Sequence, residues 1–294
     1  MNSLGSITSY WWLIVVAGLA IVIGLGFGLW RTKFVKLLRA IKLENRGTQL
    51  IMNGYYENAE TVLTKSLRLA EEAVGPDDVN IGPILANLAQ VYHFQDKFTE
   101  AERLFKRALP ILESDKNRAG NEAHPFLVLA LSDIADMYRE QGRVAEAEPL
   151  YQQALSVRER ALGPEHPDVA TSLNNLALLY DNTGKPIEAE PLYKRALAIR
   201  EKGLGPEHPD VAQSLNNLAQ VYRSQAKYAE AEPLYKRALG ILENALGPEH
   251  PNTALVLENY ADLLRKTGRG NEAEELEARA KAIRTKHAVQ KPAK

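Results

Sequence analysis

The sequence contains no cysteine among its 294 residues, which excludes disulfide bonds, thiolate zinc sites and a cysteine nucleophile. Its charges nearly cancel, with 36 lysines and arginines against 37 aspartates and glutamates, so no excess of positive charge indicates a nucleic acid partner. It also shows no glycine-rich phosphate loop, no serine–histidine–aspartate grouping and no defined pair of carboxylates. We therefore expect neither an enzyme nor a bound cofactor or metal.

One long stretch of the sequence has no charged side chain. It runs from Tyr10 to Trp30, and as a helix it would span about 31 Å, close to the thickness of the hydrocarbon layer of a bilayer. The three tryptophans, Trp11, Trp12 and Trp30, stand at its two ends, where indole rings prefer the level of the headgroups. This pattern predicts a transmembrane helix at residues 10–30, with a cleavable signal peptide as the alternative.

Basic residues flank this segment on one side only. None precedes Tyr10, whereas six follow it closely: Arg31, Lys33, Lys36, Arg39, Lys42 and Arg46. The positive-inside rule then predicts a single-pass membrane protein, such as one of a bacterial inner membrane, with residues 1–9 outside and the rest of the chain in the cytoplasm. The same basic residues could also contact anionic lipid headgroups.

Small residues recur at every fourth position within the predicted membrane helix. Ala20, Gly24 and Gly28 would share one helix face and would allow a second membrane helix to approach closely. We therefore expect this face to be a site for a partner transmembrane helix, although glycine is also common in membrane helices that have no such partner.

The remainder of the chain is repetitive. Gly-Pro-Glu-His begins at residues 163, 205 and 247, so the period is 42 residues, and Ser-Leu-Asn-Asn-Leu-Ala begins at both Ser172 and Ser214. A period of this length predicts a solenoid, in which each unit buries its apolar face against its neighbours. Apolar residues follow helical spacing twice in each period, which indicates a pair of helices per repeat.

Alanine and tyrosine occupy fixed positions in these helices. In the first helices the alanines are Ala89, Ala135, Ala177, Ala219 and Ala261, and a tyrosine follows three residues after each of the first four. This pattern resembles the tetratricopeptide repeat, and the 42-residue period with its Gly-Pro-Glu-His-Pro-Asp-Val-Ala loop resembles the kinesin light chain type. The resemblance implies an all-α fold, a right-handed α-solenoid of helix pairs, here preceded by the transmembrane helix.

The repeats also predict how the chain is divided. Five helix pairs are expected in residues 77–287, and residues 31–76 combine the basic juxtamembrane segment with a degenerate first repeat. Residues 288–294 are expected to form a flexible basic tail.

In proteins of the kinesin light chain type, the first helices line a concave groove that binds cargo peptides. The resemblance therefore implies a binding role for the polar residues on that face: Asn87, Asp133, Asn174, Asn175, Asn216, Asn217, Gln220, Arg223 and Asn259. Because an amide both donates and accepts, a row of asparagines can bind the backbone of an extended peptide. Alternatively, these amides hydrogen-bond between adjacent repeats.

Histidines recur in the loops at His124, His166, His208 and His250. Side chains about 10 Å apart, one repeat from the next, cannot share a metal ion, so we expect a capping role for them.

These observations together predict a membrane-anchored scaffold that binds a protein or an extended peptide in the groove of its solenoid. The alternative is a structural or assembly subunit of a membrane protein complex, held through its transmembrane helix and its convex surface.

Overall fold

The computed structural model describes residues 27–114 and 125–290, and every regular element within them is an α-helix. These 12 helices belong to two compact units, Met1–Asp115 and Lys116–Lys294, and each unit is treated separately below. The predicted all-α fold of helix pairs is confirmed for this part of the chain.

The first unit contains two helix pairs. Its helices are α1 (Phe27–Met52), α2 (Tyr56–Val74), α3 (Ile81–Phe94) and α4 (Phe98–Ser114). Helix α1 packs on α2, α2 on α3, and α3 on α4, with Leu63 and Phe105 fully buried. Gly47 permits the close approach of α1 and α2, because a Cβ at this position would lie 2.5 Å from the Leu63 side chain.

The second unit contains four helix pairs. Its helices are α5 (Pro125–Glu140), α6 (Val144–Leu162), α7 (Pro167–Asn182), α8 (Pro186–Leu204), α9 (Pro209–Ser224), α10 (Tyr228–Leu246), α11 (Pro251–Lys266) and α12 (Gly270–Gln290). Within each pair the two helices pack together, and the second helix of one pair also packs on the first helix of the next. The largest buried side chains are Tyr151, Tyr193 and Tyr235, at equivalent positions of α6, α8 and α10.

The repeated loop sequence starts a helix in the same way three times. The Nδ1 atoms of His166, His208 and His250 each accept a hydrogen bond from the backbone N–H two residues later, at 3.1 to 3.2 Å. A proline follows each histidine at the first helical position, where its missing N–H has no intrahelical partner to lose. The predicted capping role is therefore confirmed for these three histidines, whereas His124 lies outside the described residues.

Ion pairs join consecutive second helices at a fixed register. They link Arg107 to Glu71 in the first unit and Arg195 to Glu159, Arg237 to Glu201 and Arg279 to Glu243 in the second, all at 2.6 to 2.7 Å. Three of these arginines also donate to a carbonyl of the preceding loop. Because partly exposed pairs contribute at most about 1 kcal/mol each, their main effect is to set the register of neighbouring pairs.

Two arginines lie between helix pairs of the second unit, of which Arg200 is buried and Arg158 partly buried. Arg200 donates to the Ser214 hydroxyl and the Asp210 carbonyl, each at 3.0 Å. Arg158 makes the equivalent contacts to Ser172 and Asp168 one repeat earlier. At the next interface both partners are apolar, since Leu242 and Val256 occupy the equivalent positions and are buried.

Helix α1 is longer than the other first helices. The start of α3, Ile81, corresponds to Arg39 one period earlier, so α1 extends about 12 residues, or ~18 Å, before the equivalent start. Arg46, which stands where the repeat pattern has leucine, is exposed.

The predicted membrane segment lies almost entirely outside the described residues, which begin at Phe27. This holds for the outer tail at 1–9 and for Ala20 and Gly24, whereas Gly28 belongs to the first turn of α1. None of the described helices combines the length and the apolar character that are needed to cross a membrane. Residues 291–294 of the predicted basic tail also fall outside the described part.

Candidate functional site

The candidate site is the face of the first helices that lies away from the paired second helices. In the second unit this face belongs to α5, α7, α9 and α11, and we call it the first-helix face. Its central members are Asp133, Asn175, Asn217 and Asn259, which occupy equivalent positions on these four helices and are partly exposed. The structure therefore places four of the predicted residues in one unit, each on a neighbouring repeat.

The two buried asparagines of this face differ in their hydrogen bonds. Asn216 is 3% exposed; its Oδ1 accepts from Asn259 Nδ2 at 3.0 Å, and its Nδ2 donates to Asn217 Oδ1 at 3.4 Å. Asn174, at the equivalent position in α7, is 8% exposed, and neither its Oδ1 nor its Nδ2 has a partner among the described residues. A buried amide without partners is costly, since about 1 to 3 kcal/mol of desolvation is not recovered.

Two further predicted residues lie toward the ends of these helices. Arg223 pairs with Asp262 of the next first helix at 2.7 Å, so part of its charge is already engaged between repeats. Gln220 is partly exposed and has no hydrogen-bond partner among the residues described.

One acidic residue of this face was not singled out from the sequence. Asp181 of α7 is partly buried, and this burial raises the pKa of its carboxyl, while the nearby Arg223 opposes the shift. Its equivalents in α5, α9 and α11 are Arg139, Arg223 and Arg265, so a single acid interrupts a row of arginines. This exchange of charge at one repeat position is visible in the sequence and could have identified Asp181.

Buried tyrosine hydroxyls lie beneath this face. The Tyr151 hydroxyl donates to Asp136 Oδ1 at 2.5 Å and accepts from Arg139 Nε at 3.3 Å. The hydroxyl of Tyr235 is buried and has no partner in the described part of the chain. Burial raises the pKa of both phenols, so both stay protonated and act as neutral hydrogen-bonding groups.

The first unit carries Asn87, the remaining predicted residue. Its Nδ2 donates to Thr48 Oγ1 of α1 at 3.3 Å, so this amide also connects two repeats. Near it along α1 lies Glu44, which is 6% exposed and whose pKa burial raises to about 7. The local sequence does not indicate this burial, because the nearby polar residues Lys42, Asn45 and Arg46 are all exposed.

Within residues 27–114 and 125–290, no group of three or more histidines, aspartates and glutamates lies close enough together to hold a metal ion. The residues of the first-helix face offer hydrogen bonding and ion pairing, through amides, carboxylates such as those of Asp133 and Asp181, and arginines.

Comparisons with known proteins agree with this architecture. The model of the tetratricopeptide repeat family matches residues 38–114, 126–202, 182–244 and 210–286, which together make up most of the chain. No curated protein sequence matches the chain.

Several solved structures share the fold. BtubC (BKLC) of P. vanneervenii is 23% identical, with a TM-score of 0.60 over 91% of this chain and 95% of that one. A Podospora anserina protein with nearly identical kinesin light chain TPR-like repeats is 28% identical, with a TM-score of 0.56 over 71% of this chain and 96% of that one. PilF of Pseudomonas aeruginosa is 17% identical, with a TM-score of 0.57 over 87% and 99%.

The helix pairs, their 42-residue period and the family match lead to one conclusion: the chain belongs to the tetratricopeptide repeat family.

Proposed function

We propose that this protein is a membrane-anchored scaffold that binds an extended segment of a partner protein along the first-helix face of its second unit. The tetratricopeptide fold is a protein-interaction fold, and the similar Podospora anserina structure is named for kinesin light chain repeats. The anchor is the apolar segment at residues 10–30, with residues 1–9 outside and the repeats in the cytoplasm.

The observation that carries the binding proposal is the unsatisfied amide of Asn174. A buried amide that has lost its water and found no protein partner favours a ligand that both donates and accepts hydrogen bonds. A peptide backbone does both. Asn175 and Gln220 are nearby polar groups of the same face without hydrogen-bond partners among the described residues, so they remain available to such a ligand.

The asparagines of this face have two roles in the structure. Asn216 and Asn259 join neighbouring repeats, as the alternative interpretation expects, whereas Asn174 and Asn175 do not. With ~1 kcal/mol for each hydrogen bond, a peptide that engages several repeats would bind with an affinity in the micromolar range.

Photo-crosslinking in the native membrane tests this proposal. A crosslinking amino acid at Gln220 of the full-length chain should capture a partner, and Asn175→Ala with Asn217→Ala should abolish that product. Alanine favours helix more than asparagine does, so these substitutions should leave α7 and α9 intact. The matched control places the crosslinker at Gln152, an exposed position of a second helix.

Two results would contradict peptide binding on this face: the same product from Gln152, or a product that survives the double alanine substitution. If the partner is instead lost when Gly24 and Gly28 become leucine, the chain is a subunit held through its membrane helix.

A further inference from the structure

The start of α1 has an exposed apolar side. Trp30 and Phe34 stack with their ring centroids 5.7 Å apart and nearly parallel. Leu38 follows on the same side of the helix, since residues four apart share a face. Trp30 is 45% exposed and Leu38 46%, and the helix here extends beyond the equivalent start of α3.

Positive charge surrounds this apolar side. Five of the six basic residues that follow Trp30 are exposed, namely Arg31, Lys33, Arg39, Lys42 and Arg46. The sixth, Lys36, is the only one with an ion-pair partner among the described residues, Glu72 at 2.7 Å. No acidic residue occurs on α1 before Glu44, which is buried.

This combination favours one type of partner. Tryptophan prefers the headgroup level of a bilayer, and a helix with an exposed apolar side and many basic residues is typical of a membrane surface. A second copy of α1 would bring like charges together, which opposes self-association at this face. The uncharged run that ends at Trp30 also places the start of α1 next to the bilayer if that run is the anchor.

We propose that residues 30–46 of α1 form an anionic-lipid-binding surface, with Trp30, Phe34 and Leu38 in the headgroup layer and the arginines and lysines on lipid phosphates. The proposal rests on the membrane anchor proposed above. In this arrangement the first repeat lies against the bilayer, and negatively charged lipids strengthen the contact.

Cysteine labelling tests the surface directly, because the chain has no other thiol. Full-length Leu38→Cys protein is reconstituted into phosphatidylcholine vesicles with or without phosphatidylglycerol, and its reaction with a water-soluble maleimide is followed. Gln152→Cys, exposed on the second unit, corrects for orientation in the vesicles. Because each basic residue near an anionic surface changes the equilibrium roughly fivefold, we expect at least about fivefold slower labelling of Leu38→Cys when phosphatidylglycerol is present.

Charge reversal separates lipid binding from simple shielding. Arg39→Glu with Lys42→Glu should return the labelling rate to that in phosphatidylcholine, and high salt should do the same. The matched control, Arg160→Glu with Lys281→Glu, makes the same charge change at exposed positions of the second unit and should have no effect.

The outcomes are distinguishable by vesicle flotation. If the protein floats with both kinds of vesicle and Leu38→Cys reacts equally in both, the anchor stands and the lipid surface is wrong. If protection is equal in both and increases with protein density, a second copy covers the face, which also overturns the proposal. If the protein floats with neither, the anchor and the surface fail together.

Discussion

Glu44 carries its carboxyl into the interior of the first unit, at the position where α7 and α9 carry Asn174 and Asn216. Burial raises its pKa from 4.5 to about 7. Because this pKa is higher in the folded state than in the unfolded state, the contribution of Glu44 to stability is fully present below the unfolded pKa. This contribution is lost as the pH rises through the folded pKa, because the native state must then hold a buried charge.

We therefore expect Glu44→Gln to stabilise the protein above neutral pH. The gain should reach at most about 3 kcal/mol near pH 8 and should disappear near pH 4, where glutamate is neutral in both states. Thermal unfolding at several pH values measures this, with the exposed Glu275→Gln as the control. A gain that is independent of pH would show that charge burial is not the cause.

Ala226 adopts a left-handed backbone conformation, with φ of +57°. It ends the turn between α9 and α10, where four of the five equivalent turns have glycine; the remaining one has Asp96. Since alanine is strained in this region by about 1 to 2 kcal/mol, Ala226→Gly should stabilise the second unit by about 0.5 to 1 kcal/mol after the entropy of glycine is counted.

Chemical denaturation followed by circular dichroism checks this prediction. Ala198→Gly, at an exposed position inside α8, is the opposite case and should destabilise by about 1 kcal/mol. If both glycines destabilise, the turn at Ala226 is not strained.

At the scale of the helices, the contact between α8 and α9 has a natural apolar counterpart. Arg200 and Ser214 hydrogen-bond at 3.0 Å, and Leu242 and Val256 replace both residues one repeat later. A buried polar pair and an apolar pair of suitable shape can be similar in stability, whereas one half of a polar pair leaves a buried group unsatisfied.

A double-mutant cycle should show this coupling. Arg200→Leu and Ser214→Val should each cost about 1 to 3 kcal/mol, and the double variant should cost clearly less than their sum. The free energy of unfolding is measured for all four proteins. Additive losses would mean that the two interfaces are not interchangeable.

At the scale of the whole molecule, the membrane topology is the prediction that matters most for function. The absence of native cysteine allows single thiols to report on either side of the membrane. In intact cells, an impermeant maleimide should label Ser6→Cys and should leave Lys202→Cys unlabelled, because the basic residues after Trp30 remain inside. After the cells are opened, both positions should react. Labelling of Lys202→Cys in intact cells would show that the repeats lie outside the cytoplasm and that the predicted topology is wrong.

Much of the fold could be predicted from the sequence because each repeat begins and ends its helices with the same local interactions. The histidine cap, the proline after it and the glycine that ends the preceding helix all act within a few residues, so the loop at 163–168 specifies its own helix boundaries. Alanine spacing indicated the helix pairs for the same reason, since small residues at fixed positions permit close packing.

The sequence could not predict the state of the individual polar groups. Glu44 and Glu258 occupy equivalent positions, yet Glu44 is buried while Glu258 is partly exposed and pairs with Arg284 at 3.0 Å. The difference depends on which side chains the neighbouring helices bring, and these lie many residues away.

By itself, the sequence determined the repeat, its helices, their caps and the position of the uncharged segment, because all of these depend on local spacing. The tertiary structure decided which amides are already engaged. Asn174 and Asn216 share the same local sequence, but only Asn216 accepts a hydrogen bond from the next first helix, from Asn259. The residue before Asn259 is Glu258, so Asn259 has no adjacent asparagine on its own helix. Asn217, at the position equivalent to Asn259, accepts from Asn216 and makes no hydrogen bond to Asn174, which has no partner among the described residues. Such differences arise because a side chain's hydrogen bonds depend on every helix within reach.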